Sequence, residues 1–274
     1  MKPNRRPAKF LRRLAVLAAF FLMLFYIAQR FWAHRTGYFI PDYPQVTLTE
    51  NTDYETIFLQ TGLGASVVEK LLEAGKFQAI LDAQDAFFHP PQTGCTPLLG
   101  WFTREDRFVS GTGVPLADLQ PGDVLITLST HTTGWRHGHA ALVINANTAL
   151  ESTVLGTDST LVNIAHWTSY SNYAVLRIKH ATPELQQQVV QYSTDHLLDI
   201  PYRLSSGLLF SKSPDPDSIL FGAHCSYLVW YAWNQFGYDL DSDGGRLVSA
   251  HDLLHSDLLE IVQIYGLDPR NFLA

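Results

Sequence analysis

Residues 14–29 carry no charge, and they follow a stretch in which Lys2, Arg5, Arg6, Lys9, Arg12 and Arg13 stand without an acid among them. The run has no polar face, so as a helix it cannot rest on a soluble core and leave one side to water. It is suited to a bilayer. It falls somewhat short of the ~20 residues that a crossing needs. Phe31 and Trp32 extend it, because Arg30 can snorkel and Trp favours the interface. A cleaved signal peptide shares this layout but wants small residues before its cut site, and Phe31-Trp32-Ala33 does not supply them. The expectation for 1–35 is a basic tail and an uncleaved signal-anchor helix, a single pass through the cell membrane. With the positive charges kept inside, the chain that follows is extracytoplasmic.

Charge narrows the partners of that external part. The whole chain is −7, and removing the +6 of the first thirteen residues leaves −13. Nucleic-acid binding needs clustered cations, so no nucleic-acid partner is expected. An exterior location also raises the disulfide question for Cys95 and Cys225. Their contexts differ and a chain of this size needs no staple, but sequence leaves the pairing open.

Residues 36–113 read as a linker and an accessory helical segment. Pro41 and Pro44 extend the chain as it leaves the membrane. The stripe Val67, Val68, Leu71, Leu72 and, after Gly75, the stripe Phe77, Ile80, Leu81, Phe88 predict two short helices. Pro90, Pro91, Gly94 and Pro97 predict a loop around Cys95. Residues 114–274 read as a separate catalytic domain. Strands are predicted over 124–127, 139–145, 148–153, 159–164 and 173–178, with a polar loop over 129–134. Thr182 and Pro183 start a helix reaching 198. A buried helix follows from Cys225 to near Gly237, then a short helix over 252–259 and a last strand over 260–264. Antiparallel strands flanked by helices make this an α+β protein.

Two residues stand out chemically. Cys225 opens an apolar helix, where the positive end of the helix dipole favours a thiolate. His139 begins an apolar strand, and an imidazole held there can take or return the proton. Together they suggest a cysteine hydrolase whose histidine precedes its nucleophile. His137 lies two residues earlier, on the same strand face if both are in the strand, and competes for the role of base. His224 reads as a local hydrogen-bonding residue.

The segments Leu119-Gln120-Pro121-Gly122-Asp123-Val124-Leu125-Ile126, His139-Ala140-Ala141-Leu142-Val143-Ile144, Leu150-Glu151, Pro201-Tyr202 and Cys225-Ser226-Tyr227-Leu228-Val229-Trp230 occur in that order. In this the chain resembles the circularly permuted NlpC-type papain-like cysteine amidases, the YiiX-like group, which is related to lecithin-retinol acyltransferases. The resemblance covers about 115–240. It implies a papain-like α+β fold with Cys225 as nucleophile, His139 as base and Glu151 as the residue orienting the imidazole. It also implies a place near the cysteine for Tyr202. The implied substrates are amides, with peptide cross-bridges or stem peptides of the cell wall as the expected class, and no cofactor. A lipid acyl hydrolase or acyltransferase is the alternative enzyme, and a non-catalytic binder using the same cleft is the alternative outside enzymes. Trp135, Trp167 and Tyr170 are candidates to line an apolar pocket, with Tyr202, His137 and Trp135 as the expected substrate-binding residues.

Two metal readings compete. His137, His139, His224 and Cys225 offer nitrogen and sulfur donors for zinc, but without the spacing of a zinc motif. Asp239, Asp241 and Asp243 resemble the start of a calcium loop, yet position twelve is Ala250 and position eight is Arg246.

Overall fold

The computed structural model describes residues 6–32, 37–99, 103–132, 135–207, 212 and 220–273, with the side chains of 6–9 and 28–32 outside that description. Helix α1 (Arg6–Trp32) contains the apolar run. Its window Phe10–Ile27 has a mean hydropathy of 2.0 and none of it is buried against the rest of the chain. This is one helix long and apolar enough to serve as an anchor or a signal sequence.

The body is α+β, with two antiparallel sheets packed with helices. The larger sheet has the order β7-β6-β5-β3-β8-β9. Its strands are β3 (Val124–Thr127), β5 (His139–Asn145), β6 (Thr148–Glu151), β7 (Thr160–Asn163), β8 (Tyr173–Ile178) and β9 (Leu259–Tyr265). Strand β5 reads as an unbroken apolar run because both of its faces are covered. Ala140, Leu142 and Ile144 pack with α5 (Pro183–His196) and α6 (Cys225–Asn234). Ala141 and Val143 pack on the other side with α2 (Tyr54–Thr61), α3 (Ala65–Glu73) and α4 (Phe77–Phe88). The core is therefore three layers, with the sheet in the middle.

The segment 53–88 holds three helices where two were expected. Asp53 caps α2, its carboxylate accepting from Thr56 N at 2.8 Å. The break after α2 is Gly62 at φ +72°, where an added Cβ would lie 2.1 Å from Ile264 O. Thr182 caps α5 as expected. The short helix α7 (Ala250–Leu254) starts earlier than expected, because Ser249 and Asp252 form a capping box.

The loop expected around Cys95 is instead a strand. Strand β1 (Thr93–Leu99) pairs with β2 (Thr103–Phe108), and β2 pairs with β4 (Thr130–Thr132), within what was expected to be a polar loop. The prolines suggested a break, but β1 is an edge strand, where Pro97 needs to give no ladder hydrogen bond. Threonines 93, 96, 103, 130 and 132 supply the β-branched character. This second sheet joins residues from both sides of position 113.

Candidate active site

Three backbone elements bring the site together. Gly138, at φ +72°, turns the chain into β5, and a Cβ there would lie 2.5 Å from Thr127 O. Only glycine fits such a turn, which sets His139 opposite Thr127 at the start of the β5–β3 ladder. Glu151 ends β6, one step beyond the Leu142–Leu150 pair, and so lies diagonally across from His139 on the same face. Ser152 then donates to Ala223 O at 2.9 Å, tying the end of β6 to the segment that enters α6. Cys225 is the first residue of α6, and His224 is its N-cap, accepting from Tyr227 N at 3.4 Å.

His139 Nε2 lies 2.9 Å from Glu151 Oε2. The other carboxylate oxygen accepts from Trp167 Nε1 at 2.7 Å and lies 3.3 Å from His166 Nε2. The Trp167 ring stacks on the imidazole with centroids 5.6 Å apart and planes inclined by 16°. Glu151 is almost wholly buried. Burial raises its pKa, but the hydrogen bond and charge of His139 outweigh this and hold the carboxyl below its usual range. For His139, burial favours the neutral ring, yet the thiol of Cys225 and then Glu151 push its pKa well above the ordinary value. For Cys225, burial raises the thiol pKa, while His139 and then His224 hold it well below that of a free thiol. The three shifts describe a buried network that favours thiolate, imidazolium and carboxylate.

The remaining sequence candidates separate. His137 Nε2 lies 3.0 Å from Thr132 Oγ1 and its Nδ1 lies 3.0 Å from Gly138 O, so both ring nitrogens are engaged locally. Burial lowers its pKa. Tyr202 is brought alongside the cysteine: it bridges Ala223, and burial followed by the nearby Cys225 raises its phenol pKa. Trp135 is exposed and meets His137 edge to face at 5.4 Å. Trp167 and Tyr170 are buried core residues rather than an open lining. His224 acts locally, its Nδ1 lying 3.3 Å from Ser226 Oγ.

The two metal readings fare as follows. Among the described residues, the proposed zinc donors at His137, His139, His224 and Cys225 do not form a convergent ligand group. Asp239 accepts from Trp230 Nε1 at 2.7 Å, and the carboxylates that approach one another are Asp241, Asp243 and Asp252. Asp241 is ion-paired with Lys212, whose ammonium also donates to Gly245 O at 3.0 Å. Asp243 accepts from Gly245 N at 2.6 Å, closing the acidic turn on itself. Asp239, Asp241 and Asp243 thus do not converge as the start of a calcium loop would.

Sequence reading missed two features. The clamp of Trp167 and His166 on Glu151 was detectable only as an aromatic pair in a short segment after a strand. A second group, Cys95, Asp106 and His131, assembles on the smaller sheet. Neither cysteine is in a disulfide, which answers the pairing question for this structure.

No family model matches the chain, and no curated protein matches it either. A solved structure similar to it is that of the metalloprotein yiiX from Escherichia coli O157:H7. The two are 16% identical, with a TM-score of 0.40, over 52% of this chain and 96% of that one.

Proposed function

We propose that the chain is a cysteine-dependent amide hydrolase working through Cys225, His139 and Glu151. The observation that carries this reading is the buried His139–Glu151 hydrogen bond of 2.9 Å beside a thiol at a helix N-terminus whose pKa is depressed. Nε2 of His139 is committed to Glu151, which leaves Nδ1 for the thiol proton. The thiolate attacks the amide carbonyl carbon, and a C–S bond forms as the carbonyl π electrons move to oxygen. First-turn N–H groups of α6, which helix geometry leaves without intrahelical acceptors, stabilise that oxyanion. As the C–N bond breaks, the imidazolium gives its proton to the departing amine. Water, deprotonated by the same imidazole, then releases the acid and restores the thiol.

The substrate class we assign is a peptide amide of the cell wall, reached from a membrane-anchored, extracytoplasmic position. A second reading, a lipid acyl hydrolase or acyltransferase, is favoured by one observation. Leu204 and Phe221 are 60% and 72% exposed and flank the Tyr202–Ala223 bridge that leads into Cys225. Apolar side chains in that place suit an acyl chain.

The test offers the full chain in detergent micelles both stem-peptide fragments and phospholipids, with products read by mass spectrometry. Amide cleavage that disappears in Cys225→Ser supports the first reading, and acyl release supports the second. Turnover of neither, with slow iodoacetamide labelling of Cys225 that is insensitive to His139→Ala, would sink both and leave a binding protein.

A further inference from the structure

Away from Cys225, the three-stranded sheet places a thiol, an imidazole and a carboxylate on one face. Cys95 of β1 stands opposite Asp106 of β2, while His131 of β4 stands opposite Arg104, two residues from Asp106. Cys95 Sγ lies 3.7 Å from His131 Nε2, and the same nitrogen lies 3.4 Å from Asp106 Oδ1. All three ligand atoms fall within 4.8 Å of one another.

We propose that Cys95, His131 and Asp106 form a zinc site that braces the smaller sheet against the loop leading to His139. A single imidazole nitrogen facing both sulfur and oxygen is the arrangement of converging ligands. A proton relay would instead use the two nitrogens in opposite directions. As a hydrogen bond the His131–Asp106 contact is long, since 3.4 Å exceeds the usual 2.7–3.2 Å range. As edges of a metal tetrahedron both contacts fit. Zinc–sulfur, zinc–nitrogen and zinc–oxygen bonds of about 2.3, 2.05 and 2.0 Å at tetrahedral angles put sulfur about 3.6 Å and oxygen about 3.3 Å from the nitrogen.

The surroundings are built for this. Asp106 Oδ2 accepts from Gly37 N at 2.9 Å and is ion-paired with Arg136 at 2.8 Å, which aims Oδ1 toward His131. Arg104 Nη1 lies 3.9 Å from the sulfur, partly opposing the burial that raises the thiol's pKa. Asp106 and His131 are almost fully buried, while Cys95 is only half-buried. Three protein ligands leave a fourth position for water, as in open zinc sites. Binding releases the thiol proton to solvent. The brace acts through Arg136, which also donates to Leu128 O and immediately precedes His137, Gly138 and His139. The site stands on its own residues and does not depend on the hydrolase reading.

Cobalt(II) titrated into the full chain in detergent micelles tests it. The expected result is one equivalent bound, with a near-ultraviolet sulfur-to-cobalt charge-transfer band that one equivalent of Zn2+ displaces. The band is retained in Cys225→Ser and absent in Cys95→Ser, and Arg136→Met weakens affinity by roughly tenfold to a hundredfold. Should Cys95→Ser fail to fold, iodoacetamide labelling of the wild-type chain decides. Zn2+ then slows alkylation of Cys95 at least tenfold and leaves Cys225 unchanged. Absence of the band, a band lost with Cys225, or Cys95 labelling indifferent to Zn2+ would each overturn the proposal.

Discussion

His139 and Glu151 meet at 2.9 Å across neighbouring antiparallel strands, and the Trp167 indole both stacks on the imidazole and donates to the carboxylate. The ring is thus fixed in plane by stacking and in rotation by the hydrogen bond. A histidine held this way presents its remaining nitrogen in one direction only. Its neighbour His137, with both nitrogens engaged by Thr132 and Gly138, has no comparable freedom to serve a thiol.

The difference between the two histidines gives the first expected outcome. His139→Ala should lower hydrolysis by about 10²–10⁴-fold, the usual worth of a positioned acid–base group. Glu151→Gln should cost up to about 10⁴-fold, since the amide can fix the wrong tautomer. His137→Ala should leave the maximal rate within a few-fold. Iodoacetamide labelling of Cys225 against pH gives an independent reading: its midpoint rises toward that of a free thiol in His139→Ala and stays low in His137→Ala. The reverse ranking would make His137 the base.

The same pair should leave a signature in stability. Glu151 is held below its usual pKa in the folded chain, so the unfolded chain binds the proton more tightly. Its contribution is complete above the ordinary carboxylate value near 4.3 and is lost as pH falls through the lower folded value. His139 runs the other way. Its folded pKa is raised, so its contribution is complete below about 6.5 and is lost as pH rises through the folded value. The stability gap between wild type and Glu151→Gln should therefore be widest between those limits and narrow on both sides. Urea midpoints over that range measure it, and a gap that stays constant with pH would contradict the coupling.

The apolar helix offers a third outcome. At 27 residues, α1 is about 40 Å long, enough for a hydrocarbon layer of about 30 Å. An arginine at its centre, as in Leu17→Arg, should cost insertion about 2.5–3.5 kcal/mol. Alkaline carbonate extraction of membranes should release that variant and retain the wild type. Equal release of both would mean that the helix is not the anchor.

Much of the central sheet was legible because its strands are short apolar runs bounded by turn residues. The strands 124–127, 139–145 and 173–178 lie where the pattern put them. The smaller sheet was not legible, because β2 and β4 are polar and β1 carries Pro97, which an edge strand tolerates. That error also hid the Cys95 cluster. Periodicity places a residue on a face within its own element. It says nothing of which strand from elsewhere in the chain comes alongside, and His131 reaches Asp106 only through the β2–β4 pairing. The His139–Glu151 contact was foreseeable because a tight turn joins β5 and β6. Trp167 arrives from a separate segment and was not.

The turn before β3 supplies a last outcome. Arg177 of β8 donates from Nε and Nη2 to the two oxygens of Asp123, at 2.8 and 2.7 Å, and Nη2 also donates to Asp118 O at 2.6 Å. Asp123 is fully buried, and burial, opposed by Arg177, leaves its pKa above the ordinary value. Removing one member of such a pair strands the other charge, at a cost of about 3–5 kcal/mol. Arg177→Met should lose about that much at neutral pH, read from its urea midpoint. Without the guanidinium the Asp123 pKa rises further, so the variant regains stability relative to wild type as pH falls and the carboxyl takes up its proton. Adding Asp123→Leu should return most of the loss at neutral pH, because it removes the stranded charge. A double variant as unstable as the single one would show that the pair does more than neutralise itself.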